Sequence, residues 1–233
     1  MPKDFKVTYE ELKITSYLYK TFSKDDEHYK IIVDNISLDL TKKDDIENVL
    51  KFLRSWGCRQ FIKEKEDQEK SENALKKWFI TYGSYLPSHD ELLVNTSDKD
   101  INSYEKLFDD LMNSEASTKC KKQNKPISNT FGPVGAAKTL FALRRNTFPP
   151  WDNPIIKELQ FGKNGKSYCE YLITVKKNLV ELQDTCNQKG IDFTNLPKIF
   201  GRENSSMPKL IDEYLWVSIT QKCKPSEIIS LIN

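Results

Sequence analysis

Residues 131–155 read FGPVGAAKTLFALRRNTFPPWDNPI, and the glycine-bounded turn at their start sets the reading of the whole chain. Gly132 and Gly135 let the backbone turn tightly, and a helix from about Ala136 to Arg145 is expected to follow. The first N–H groups of such a helix point outward with the positive end of its dipole, which suits an anion and above all a phosphate. Lys138 follows Gly135 by three residues, so the stretch departs from the Gly-x-x-x-x-Gly-Lys-Ser/Thr spacing of a P-loop. At the other end Phe148, Pro149 and Pro150 stiffen the approach to Trp151 and Asp152. Asn153 and Pro154 open a further helix, to about Phe161.

The same helical signal runs outward in both directions. Thr8 and Glu11 have capping-box spacing before a face of Leu12, Tyr19 and Phe22. Ile46, Val49, Leu50 and Leu53 recur at i, i+3, i+4 and i+7, and Gly57 stops that helix. Ile31, Ile32 and Val33 form a short β-branched run that reads weakly as a strand. Residues 63–77 are charged on nearly every side and read as a solvated helix face. A long helix from near Ser167 to Gly190 buries Tyr171, Leu172, Val175, Leu179, Leu182 and Cys186. Pro208 and Pro225 stand at first helical positions, and Leu210, Ile211, Tyr214, Leu215 and Trp216 read as core packing. Polar residues broken by Pro126 make 116–130 a basic linker. The expectation is a mostly α protein of two helical lobes, 1–115 and 131–233, with a helix-hairpin-helix-like element in the second.

Composition narrows the function classes. Lys plus Arg number 36 and Asp plus Glu 34, so the net charge of +2 implies no partner by itself. Its distribution does: seven basic residues and no acidic one fall between Ala116 and Trp151, among them Lys125, Lys138, Arg144 and Arg145. Such a segment predicts salt-sensitive, sequence-blind affinity for nucleic acid, or else a solvated linker. The five cysteines are odd in number and far apart, and no Cys-x-x-Cys occurs, so reduced thiols are expected, with no metal cluster and no other cofactor. With no apolar leader and no long apolar run, no membrane partner is expected and the protein is placed in the cytoplasm, at the nucleoid if bacterial.

Two residues carry candidate chemistry. A carboxylate held beside Trp151 can stabilise a developing cation or activate a nucleophile, and Asp152 can equally be the N-cap of its helix. Lys138 reads as a nucleophile, a phosphate contact or a plain surface lysine.

The glycine turn, a lysine soon after it and FPxxDxxI leading into another helix resemble the helix-hairpin-helix DNA glycosylases of base-excision repair. The resemblance covers about 25 of the 233 residues. It implies that Gly132, Val134 and Gly135 grip a DNA phosphate, that Asp152 is the essential aspartate, and that Lys138 forms a Schiff base. Here the lysine stands three residues after the last glycine rather than two, and its spacing to the aspartate is a few residues short. A second resemblance joins FLRSWGCRQFI to the later Lys…Pro-x-x-Asp segment, as in a group of bacterial proteins that lend no activity. It places Trp56 and Arg59 at the same site as Asp152, where an extruded base needs an aromatic surface and a polar edge reader, and Trp151 is expected to line that base pocket with them. Trp56 also reads as a core tryptophan at a helix end.

The function expected is a monomeric DNA glycosylase acting on duplex DNA, with or without strand cleavage, in repair or in defence against phage. A non-enzymatic helical protein that uses the turn as a phosphate grip is the alternative.

Overall fold

The computed structural model describes residues 2–23, 27–35, 37–61, 65–120 and 126–232. In chain order its helices are α1 (Tyr9–Phe22), α2 (Glu27–Asp34), α3 (Lys43–Ser55), α4 (Lys65–Tyr82) and α5 (Asp98–Asn113), then α6 (Gly132–Leu143), α7 (Asn153–Glu158), α8 (Gly165–Gln188), α9 (Leu196–Ile199), α10 (Met207–Leu215) and α11 (Pro225–Ile232). Two strands, β1 (Glu115–Cys120) and β2 (Pro126–Thr130), pair antiparallel between α5 and α6. The mostly α class expected from the periodicity is therefore the class observed.

Local signals explain most of these elements. The capping box of α1 forms in full: the Thr8 side chain accepts from the Glu11 N–H, and the Glu11 carboxylate accepts from the Thr8 N–H at 2.9 Å. Phe22, expected on the buried face with Leu12 and Tyr19, is instead about half exposed at the C-terminal end of α1. Gly57 ends the α3 region at φ +78°, a conformation an L-residue adopts only with strain. The β-branched run at 31–33 lies in α2, because Tyr29 and Ile32, one helical turn apart, are both buried.

The basic linker is a hairpin in its described part. Ala116 and Ser117 are buried against α4, where Ser71 Oγ donates to the Ala116 carbonyl and Lys70 Nζ reaches Thr118 at 2.5 Å. Its polar sequence paired across strands because α4 supplied a surface to cover it. The chain enters Gly132, at φ +67°, from β2 rather than from a helix. A helix-hairpin-helix-like element is thus not formed there: the turn joins a strand to a helix.

One apolar core runs from Val7 to Leu215 and draws on both halves of the chain. α1 lies on α10, and α5 lies on both α6 and α8. The Val7 N–H donates to Asn178 Oδ1 on α8 at 3.0 Å, and Asn178 Nδ2 returns to the Phe5 carbonyl at 3.1 Å, which fixes the leading segment across α8. No helix among the described residues is long and apolar enough to cross a membrane.

Candidate active site around Lys138 and Asp152

The corner before Asp152 is held at three points. Tyr168 Oη donates to the Pro149 carbonyl at 2.9 Å, Tyr171 Oη to the Pro150 carbonyl at 3.3 Å, and Trp151 Nε1 to the Pro133 carbonyl at 3.1 Å. Trp151 itself is fully buried among Phe108, Phe161, Tyr168 and Tyr171. It therefore fixes the corner and lines no base pocket, which corrects that expectation. The two prolines stiffen the chain and drive the indole inward.

Asp152 occupies the N-cap position of α7 at φ −117° and ψ 161°, yet its side chain makes no capping hydrogen bond. Its Oδ1 lies instead 2.7 Å from Lys138 Nζ. Lys138 sits two turns into α6, which starts earlier than the sequence suggested, and is buried. Its ammonium also donates to the Trp56 carbonyl at 2.7 Å, at the C-terminal end of α3. The two residues that the sequence singled out thus meet, and the carboxylate is the half of the pair that solvent reaches, with 32% of its side chain exposed against 7% for the lysine. Burial pushes the neighbouring Cys58 thiol up to about 11, so it stays protonated at neutral pH and is no rival nucleophile.

Trp56 joins this pair to a second, more deeply buried cluster. Its ring stacks on Phe141 and Tyr29 at 5.6 and 5.9 Å between centroids. Lys138 Nζ lies 5.5 Å and Lys209 Nζ 4.9 Å from its centre. Lys209 pairs with Asp212 at 2.8 Å and Glu213 at 3.8 Å, and Arg202 holds both oxygens of Glu213 through Nε and Nη2 at 3.1 and 2.5 Å. Burial acts to lower Lys209, but Asp212 and Glu213 outweigh it and hold the ammonium well above the usual lysine range. Burial raises Asp212, with Lys209 pulling the other way and the Asp152 charge adding to the rise.

Sequence reasoning passed over Lys209, Asp212, Glu213 and Arg202. The segment does read as core, since Leu210, Ile211 and Leu215 are buried. The signal it also carried is opposite charge at i, i+3 and i+4 (Lys209, Asp212, Glu213) in a helix whose remaining faces are apolar.

Other expected contacts fall elsewhere. Gly135 is buried, and a β-carbon there would stand 2.9 Å from Gln60 Nε2, which itself donates to the Phe131 carbonyl at 2.5 Å. That glycine admits a side chain rather than a DNA phosphate; Gly132 and Val134 are half-buried beside it. Arg144 gives Nε to the Pro87 carbonyl and Nη1 to the Leu143 carbonyl, at 2.5 and 2.7 Å, so most of its guanidinium binds the protein's own backbone. Arg145 is half-buried, with Nη1 unpartnered among the described residues. Arg59 is exposed in the turn after α3, and Lys125 lies outside the described residues. Among the described residues no group of three or more His, Cys, Asp or Glu is placed to hold a metal ion.

No family model, no curated protein and no solved structure matches the chain.

Proposed function

We propose that the protein is a DNA N-glycosylase with associated strand-cleaving activity, in which Lys138 is the nucleophile and Asp152 its proton partner. One observation carries this reading: Asp152 stands at a helix N-cap without capping it, and its oxygen lies 2.7 Å from a buried ammonium. An ammonium becomes a nucleophile once it gives up its proton, and a base within hydrogen-bond reach can take it. Asp152 takes a proton from Lys138, and Nζ then bonds to C1′ of the nucleoside as the C1′–N bond to the base breaks. The base leaves with that electron pair and takes the proton from Asp152; a proton then passes from Nζ to O4′, the nitrogen pair forms the C1′=Nζ bond as the C1′–O4′ bond breaks, and the protonated Schiff base results. The half-buried Trp56, whose ring lies 5.5 Å from the Lys138 ammonium, offers the aromatic surface beside the pair. The substrate is duplex DNA with the base turned out, met by a monomer in the cytoplasm, in repair or phage defence.

The test is incubation with duplexes carrying a panel of damaged and phage-type modified bases. Wild type is expected to release one of these bases. Asp152→Asn is expected to abolish release while binding the same duplex; release undiminished in that variant would end the proposal.

A further inference from the structure

A pocket of about 330 Å³ lies where the end of α1, the start of α2 and the loop between α9 and α10 meet. That is the lower end of the range of ligand pockets, about 300–1,000 Å³. Its walls include Lys20, Tyr29, Lys30 and Arg202, and Glu203 is the carboxylate among its lining residues. Neither Lys20 nor Lys30 has an ion-pair partner among the described residues. Arg202 gives Nε and Nη2 to Glu213, which leaves Nη1 outside that pair. The Lys20 ammonium lies 2.8 Å from where a β-carbon on Gly201 would stand, so the glycine, at φ +66°, makes room for it.

A buried residue in this pocket's wall carries an unmet donor. Tyr29 is 5% exposed, and its hydroxyl has no hydrogen-bond partner among the described residues. Arg145, outside the wall, has Nη1 likewise unpartnered among the described residues, and its charge acts on Tyr29. Unpaired buried polar groups cost free energy, so each calls for a partner. Burial pushes the Tyr29 hydroxyl up to about 12, the charge of Arg145 opposing the rise most and those of Lys209 and Arg202 acting likewise. The phenol therefore stays protonated and can donate, while an arginine nitrogen can only donate. What is missing is an acceptor, and Lys20 and Lys30, which pair with no carboxylate among the described residues, ask that it be negative. A tetrahedral oxyanion supplies several acceptor oxygens in a small volume.

We propose that this pocket binds a phosphate group, with Tyr29, Arg202, Lys20 and Lys30 donating to its oxygens and the Arg145 charge that acts on Tyr29 adding to the attraction. The site is separate from the Lys138–Asp152 pair and does not depend on how that pair is read.

The experiment is calorimetric titration of the full chain with three probes: inorganic phosphate, a deoxynucleoside 5′-monophosphate and an undamaged duplex oligonucleotide. Phosphate is expected to bind at one site. Tyr29→Phe is expected to weaken it about tenfold, the loss of one charge-assisted hydrogen bond, while melting no lower than wild type in phosphate-free buffer. Lys20→Gln with Lys30→Gln weakens it further, and Asp152→Asn leaves it unchanged. A monophosphate that displaces inorganic phosphate makes a free nucleotide the source, and a duplex that does so makes it the strand phosphodiester. If none of the three binds, or if phosphate binds wild type and Tyr29→Phe equally, the proposal is overturned.

Discussion

At Glu213 a fully buried carboxylate meets Arg202 through two hydrogen bonds and Lys209 at 3.8 Å. Removing one member of such a cluster leaves an uncompensated buried charge, which costs about 3–5 kcal/mol. Glu213→Gln is therefore expected to lower stability by several kcal/mol in denaturant melts; a change of under about 1 kcal/mol would show that the cluster is hydrated and loosely held. Asp152 behaves differently, since its carboxylate makes no capping bond and is partly exposed. At this scale the sequence was legible where backbone chemistry is local. The Thr8–Glu11 capping box and the Phe-Pro-Pro approach to Asp152 needed only neighbours a few residues away. Whether Lys138 faced Asp152 or solvent depended on Trp56, 82 residues back in the chain, whose carbonyl takes the ammonium. No local pattern contains that.

Among the elements, α5 and α8 meet backbone to backbone at Gly165. A β-carbon on Gly165 would stand 2.2 Å from the Glu105 carbonyl oxygen and 2.8 Å from its carbon, and the Gly165 N–H donates to Asp109 Oδ1 at 2.6 Å. The obstacle is backbone, so neither helix can yield by a rotamer change. Gly165→Ala is expected to destabilise the fold by about 1–3 kcal/mol, read as a lower denaturant midpoint at unchanged slope. An unchanged midpoint would mean that the two helices do not pack this closely. The helical stripe of α8 was readable from Tyr171, Leu172, Val175 and Leu179 because burial repeats with the helical period. The strand pair of 115–120 and 126–130 was not, since its polar residues resemble a linker until α4 is known to cover Ala116 and Ser117. For the same reason, the glycine turn suggested a helical hairpin although a strand feeds it.

For the molecule as a whole, the buried neutral groups give the pH dependence a sign. Burial raises Cys58 from about 9 to about 11, Cys169 to about 12 and Tyr29 to about 12. Each group binds its proton more tightly folded than unfolded, so its contribution is complete below the unfolded value and is lost as pH rises toward the folded one. Lys209, held above the usual lysine range, adds in the same direction. The two-unit rise of Cys58 alone corresponds to roughly 3 kcal/mol. Melting temperature is expected to fall steeply from pH 9 to pH 11 at constant salt, and a flat profile over that interval would contradict the burial of these groups. Within this frame the active-site reading depends on one contact, that of Lys138 with Asp152. Borohydride trapping on duplexes carrying the panel of modified bases tests it most directly. A covalent protein–DNA adduct that appears with wild type and vanishes in Lys138→Ala is the predicted result. Base release by wild type with no adduct, or an adduct that survives in Lys138→Ala, would contradict it.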